Sequence, residues 1–166
     1  MLTTIELFAG AGGLALGIEK AGFKTIALNE IDADACNTLH MNCPNWNVIK
    51  DDIAKISKLD LNKYFSLKKG KLDLLSGGAP CQAFSYAGKK LGLSDTRGTL
   101  FYHYATFLKK LQPKMFLFEN VRGFKAIIMG KLIKLYLRFL NKQGTKFKEK
   151  CWMREIMEFL KKEKDL

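Results

Sequence analysis

Between residues 2 and 121, short apolar runs alternate with stretches whose apolar positions recur every three or four residues. The runs are TTIELFA (3–9), KTIALNE (24–30), NVIKDDI (47–53), KLDLLSGGAP (71–80) and KMFLFENV (114–121). Bounded by Gly, Pro, Asn and Asp, they predict five β-strands. GLALGIEKAGF (13–23) predicts a helix with Leu14, Ile18 and Ala21 on one face and Gly22 near its C-cap. DADACNTLHMN (32–42) predicts a second helix, with acidic residues in the first turn where the helix dipole favours them. LFYHYATFLKKLQP (100–113) predicts a third, closed by Pro113. Strands alternating with helices imply βαβ units: an α/β, Rossmann-like fold with a parallel sheet and helices on both faces. Ligands of such folds bind outside the carboxyl ends of the strands.

The chemically capable residues fall at those ends. Gly10, Gly12 and Gly13 follow the first strand, Glu30 the second and Asp52 the third; Cys81 follows the fourth, and Glu119 with Asn120 the fifth. In FAGAGGLALG the glycines permit a tight turn and close backbone approach, and the helix after it opens with free N–H groups. Glu30 lies about 20 residues on, where an acidic side chain takes ribose hydroxyls. The match to GxGxxG is imperfect, because position 15 is Ala. Together these features predict a nucleoside-like ligand.

In GGAPCQAFS, Cys81 can be read as a buried thiol, the ordinary fate of a lone cysteine. Against that, Gly77, Gly78 and Pro80 build a turn that would lift its side chain out of the sheet. Loop N–H groups would then favour the nucleophilic thiolate. Glu119, set beside Asn120 after the apolar KMFLF, reads either as a solvated strand-end charge or as a partly buried acid with a raised pKa.

GGAPCQAFS, ELFAGAGGLALGIEKAGF, GLSDTRGTLFYHY and FENVRGF together resemble the cytosine-5 DNA methyltransferases of bacterial restriction–modification systems. The resemblance runs through residues 3–124 in motif order. Two departures are small: Ala79 stands where many members have proline, and Glu6 where many have aspartate. The resemblance implies S-adenosylmethionine as cofactor and double-stranded DNA as partner, with a cytosine flipped into the pocket. It makes Cys81 the nucleophile at ring carbon 6, Glu119 the acid at the ring nitrogen, and Asn120 the residue holding that carboxyl. It places Phe8, Gly10, Gly12, Glu30, Ile31, Asp52, Ile53 and Pro80 against the cofactor, with Glu30 on the ribose and Asp52 near the adenine amine. Gln82 and Ser85 would approach the DNA around the flipped base, and Arg97 the phosphates.

Composition changes the picture in one region. Net charge is +12, yet residues 1–124 carry 16 Lys+Arg against 11 Asp+Glu, and 125–166 carry 12 against 5. More than half of the excess therefore sits in the last quarter of the chain, and basicity says little about the organised part. Four cysteines without a CxxC pair, and two histidines, point away from a metal site or disulfide framework and toward the cytoplasm. No signal segment opens the chain, and no apolar run has membrane-spanning length.

The expected domain division is 1–124, catalytic and cofactor-binding but incomplete, and 125–166, a basic tail. The family's QxRxR motif and target-recognition region are not found in the tail. MGKLIKLYLRFLNKQG can be encoded so that the adjacent frame reads NGKTYKTISEIFKQAG, which resembles what family members carry after ENVRG. REIMEFLKKEKDL can likewise come from a frame reading DYGV followed by QKRERL. The expectation is a one-base shift near codons 124–126, or a separately encoded C-terminal subunit that supplies the missing motifs.

Overall fold

The computed structural model describes residues 1–78 and 100–119. Its elements are β1 (Leu2–Leu7), α1 (Gly13–Lys20), β2 (Phe23–Glu30), α2 (Ala33–Asn42), β3 (Val48–Lys50), α3 (Ile53–Ile56), α4 (Leu61–Tyr64), β4 (Leu74–Gly77), α5 (Leu100–Leu111) and β5 (Met115–Phe118). The strands form one sheet in the order β3-β2-β1-β4-β5, and every pair is parallel. From β1 the chain walks outward to β2 and β3, then returns to the other side of β1 for β4 and β5. Right-handed crossovers in both directions put α1 and α2 on one face and α5 on the other. The chain divides into two units, Met1–Phe124 and Lys125–Leu166, and all described residues belong to the first.

Burial follows from that layering. Central β1 is covered on both faces, so Thr4, Ile5, Glu6 and Leu7 are all buried rather than alternating. On one face Ala9, Ala15, Leu28 and Leu39 form a cluster against which Trp46 and Val48 pack. Helix α5 buries Tyr104, Phe107, Leu108 and Leu111, each such side chain contributing about 1.5–3 kcal/mol. The Tyr104 hydroxyl reaches the carbonyls of Leu75 (3.0 Å) and Leu117 (3.2 Å), fixing the helix over β4 and β5. At the amino end of the sheet, Asp73 accepts from the Thr3 N–H and hydroxyl and from Lys114 Nζ, tying β1, β4 and β5 together.

All five predicted strands are present. The α1 face differs from the expectation: Ala15 and Ile18 are buried, whereas Ala21 is exposed because the helix ends at Lys20. Gly22 follows with φ +92°, the left-handed turn that a glycine after a helix supplies. Helices α3 and α4 were not anticipated. Each is four residues long, opened by an aspartate cap (Asp52, Asp60) and pinned by Ile53, Ile56 and Leu61.

Candidate functional site

Strand register sets the predicted residues on one edge. Leu7 pairs with Asn29 and with Gly77, Gly77 pairs with Phe118, and Glu30 pairs with Lys50. Phe8, Glu30, Asp52, Gly78 and Glu119 therefore leave the sheet at the same, carboxyl end. The connection order reverses between β1 and β4, and a crevice at such a switch point is where open parallel sheets take ligands.

The turn after β1 is held in an unusual conformation. Phe8 has φ +58°, sparsely populated for an aromatic residue, and Gly10 and Gly12 also lie at positive φ. Gly12 N–H closes the turn on the Ala9 carbonyl at 3.0 Å. The glycines divide the work. A Cβ on Gly12 would stand 2.6 Å from Leu39 Cδ2 and 3.0 Å from Trp46 Cζ3, whereas beside Gly10 and Gly13 the space is open. Gly12 thus admits α2 and Trp46 from behind, and Gly10 and Gly13 border the side from which a ligand can come. Helix α1 starts without a side-chain cap, its N-terminus turned to that side.

Glu30 joins the turn to β2. One carboxylate oxygen accepts from Gly10 N–H (2.7 Å), the other from Ile31 N–H (2.7 Å) and Asp32 N–H (2.9 Å). A carboxylate offers about four acceptor positions, so three are taken and one remains for a hydroxyl. Beside it Ile31 is 63% exposed. Asp52 caps α3 by accepting from Ala54 N–H at 2.8 Å, leaving its second oxygen for another donor. Ile53 is 4% exposed and belongs to the core beneath, not to the open edge.

On the other side of the crevice, Gly77 has φ +145°, and a Cβ there would overlap the Leu7 carbonyl oxygen. No other residue fits. A Cβ on Gly78 would lie 3.1 Å from Glu119 Cβ and 3.4 Å from Glu119 Oε2, so Gly78 is the seat of the Glu119 side chain. Glu119 N–H donates to the Gly77 carbonyl at 3.0 Å. The side chain itself is exposed, which corrects the expectation of a partly buried acid. A buried acid does stand close by: Glu6, 1% exposed, one residue before the end of β1. Burial pushes its carboxyl up to about 7, helped by the Glu119 charge and opposed by hydrogen bonds from Ser76 and the Ala15 N–H.

The region of residues 2–150 matches the family model of the C-5 cytosine-specific DNA methylases. The chain belongs to that family. It is 52% identical over 146 residues to the type II methyltransferase M.PspPI of Psychrobacter sp. strain TA137, covering 88% of this chain and 33% of that one. It is 57% identical over 121 residues to the type II methyltransferase M.Eco47II of Escherichia coli, covering 73% of this chain and 27% of that one. A solved structure described as a DNA modification methyltransferase encoded within an E. coli prophage superposes with a TM-score of 0.68 at 31% identity. That superposition covers 83% of this chain and 38% of the other. The chain spans between a quarter and a third of the length of these curated relatives.

For this family member, the structure brings Phe8, Gly10, Glu30, Ile31, Asp52 and Glu119 to one edge and turns Gly12 and Ile53 inward. Pro80, Cys81, Gln82, Ser85, Arg97 and Asn120 lie outside the described residues. Sequence reasoning passed over Asn29, whose buried amide donates to the carbonyls of Ile49 (3.2 Å) and Asp51 (2.8 Å) and aligns the ends of β2 and β3. It also passed over Trp46, anchored by its indole N–H on Glu19 at 3.0 Å. An asparagine closing the apolar run TIALN was the available signal for the first. Among the described residues, no helix is long and apolar enough to cross a membrane, and no cluster of metal-ligating side chains occurs.

Proposed function

We propose that residues 1–124 are the cofactor-binding and catalytic part of a DNA (cytosine-5-)-methyltransferase of a type II restriction–modification system, acting on double-stranded DNA in the cytoplasm. The observation carrying this is the glycine turn stapled by Glu30, facing Glu119 across the switch point, in a chain of this family. S-adenosylmethionine would supply an electrophilic sulfonium methyl for carbon 5 of cytosine. The residues present suit it: the open side of Gly10 and Gly13 admits a close ligand, and the remaining lone pair of Glu30 suits a ribose hydroxyl. The free Asp52 oxygen suits an adenine amine, and Phe8, Ile31 and Pro80 would line the nucleoside, with Gly12 and Ile53 supporting from beneath.

Cys81, three residues beyond the Gly78 seat, attacks carbon 6 of the flipped base as thiolate, forming a C–S bond and making carbon 5 nucleophilic. Glu119 gives its proton to the ring nitrogen as that bond forms, and Asn120 orients the carboxyl. In the methylated adduct, a water molecule takes the carbon-5 proton, the C–S bond breaks to release Cys81 as thiolate, and the ring-nitrogen proton returns to Glu119. Gln82 and Ser85 approach the DNA around the flipped base, and Arg97 takes phosphate. A separately encoded C-terminal subunit would supply sequence readout.

The test is transfer of labelled methyl from S-adenosylmethionine to double-stranded DNA by the full chain, alone and with a C-terminal part of a relative, against Cys81→Ser. Transfer abolished by Cys81→Ser supports the reading. Methylation retained in Cys81→Ser overturns it. Calorimetric binding of S-adenosylmethionine without transfer in either format identifies the chain as an inactive cofactor-binding remnant.

A further inference from the structure

Trp46 has no part in the chemistry of the reaction, yet it stands directly behind the glycine turn. Its backbone is fixed between α2 and β3: its N–H donates to the Cys43 carbonyl at 3.0 Å, and its carbonyl accepts from Val48 N–H at 3.1 Å. Its indole N–H donates to Glu19 Oε1 at 3.0 Å, and the same oxygen accepts from Thr25 N–H of β2 at 3.4 Å. Glu19 lies in the last turn of α1, and a helical side chain leans back over the turn before its own. The other end of the indole reaches Gly12, at the start of α1. A Cβ on Gly12 would stand 3.0 Å from Trp46 Cζ3 and 3.7 Å from its Cη2, with Leu39 Cδ2 at 2.6 Å. The ring thus bridges the two ends of the helix.

We propose that Trp46 is a positioning residue for the cofactor site: latched to α1 through Glu19, its ring is the back wall that keeps the Gly10–Gly13 turn in the conformation open to a ligand. The turn needs such a wall. Phe8, Gly10 and Gly12 all have positive φ, and a strained backbone persists only where its surroundings enforce it. In front, beside Gly10 and Gly13, nothing stands within 4 Å of where a Cβ would be. Hydrogen bonds hold the turn at its flanks: Ala9 N–H on the Asn29 carbonyl, Gly12 N–H on the Ala9 carbonyl and Gly10 N–H on Glu30. None of these bars retreat toward α2; the ring does. Tryptophan suits the place, because one side chain supplies both a broad apolar plate and a donor that fixes its plane. The role deepens the cofactor reading above and rests on it. A turn that relaxes backward draws its N–H groups away from the bound nucleoside, and affinity falls with the fraction of chains in the competent form.

The experiment measures calorimetric binding of S-adenosylmethionine and amide hydrogen exchange for the full chain and for Trp46→Leu, Trp46→Phe and Glu19→Gln. If loss of the plate leaves a tenth of the chains competent, Trp46→Leu binds about tenfold more weakly. Trp46→Phe keeps a ring behind Gly12 but loses the latch, and its affinity falls between the two. Glu19→Gln keeps an acceptor for the indole and binds as wild type. In the free chain, Trp46→Leu speeds exchange of the Gly12 N–H by about tenfold, while the amides of β4 and α5 exchange as before. Wild-type affinity in Trp46→Leu overturns the proposal, and so does unchanged Gly12 exchange. Exchange faster throughout the chain also overturns it, since Trp46 would then be a core residue only. Should Trp46→Leu fail to fold, Trp46→Phe set against Glu19→Gln decides by the same two readings. A wild-type chain that binds no S-adenosylmethionine sinks the cofactor assignment, and Gly12 exchange then decides the wall by itself. Methyl transfer enters neither reading, so a chain that binds cofactor without methylating DNA sinks the function above and leaves the role of Trp46 standing.

Discussion

At the scale of single residues, two positions near the switch point are fixed by opposite means, Gly77 by what it lacks and the buried Glu6 by what it carries. Gly77 combines φ +145° with the Leu7 carbonyl lying where a Cβ would go. Relief requires parting β1 from β4 at the centre of the sheet. Gly77→Ala is expected to cost roughly 3 kcal/mol or more in urea unfolding, and a loss below ~0.5 kcal/mol would refute the geometry. Glu6 makes stability depend on pH. Its native pKa is raised to about 7 from 4.5, so the folded state binds more protons than the unfolded chain between those values. Stability from this group is complete below about 4.5 and falls as pH rises through 7. The drop is of order 3 kcal/mol, and Glu6→Gln should abolish it. Asp73 acts in reverse: the Lys114 ammonium holds its carboxyl below the usual range, so its contribution disappears as pH falls below about 4. Denaturant unfolding of both proteins from pH 5 to 8 isolates the Glu6 effect. Parallel curves would refute it.

At the scale of elements, each crevice residue is also part of an element boundary, which makes structural and binding roles separable. Asp52 is the clearest case, because its Oδ1 caps α3 while the proposed nucleoside contact uses the other oxygen. Asp52→Asn keeps a capping oxygen and removes the charge; Asp52→Ala removes both. Calorimetry with S-adenosylmethionine and urea unfolding should show weaker binding for both variants but a stability loss of about 1 kcal/mol only for Ala. Equal destabilisation would reduce Asp52 to a cap. The same duality explains what the sequence revealed. The central strands were readable because a parallel sheet buried on both faces needs continuous apolar runs such as LDLL. Their order-reversing topology then put Glu30, Asp52 and Glu119 on one edge. Helices α3 and α4 were not readable, since four residues hold barely one turn and give no period. Ala21 was misplaced because the helix stops one residue earlier than its periodicity. Trp46, Asn29 and the Glu6–Ser76 pair act through neighbours about 20 to 70 positions away, and single-strand patterns carry no record of such partners.

At the scale of the whole molecule, the question is what meets β5. Among the described residues it is the edge strand, and Met115 and Leu117 on it are 48% and 44% exposed. Half-exposed apolar side chains on such a strand offer a surface to another polypeptide, whether a partner or a second copy. The proposed C-terminal subunit would cover Met115 and Leu117, and its covering would hold Glu119, the residue following β5, against Gly78. Two measurements then move together. Alone, the chain should self-associate at micromolar concentration in sedimentation velocity, and Leu117→Lys should shift it toward monomer by placing a charge on the edge. With the C-terminal part of a relative added, the wild-type chain should form a one-to-one complex and the Leu117→Lys chain should not. Self-association unchanged by Leu117→Lys, with the complex formed equally well by both chains, would mean that β5 is not the joining edge.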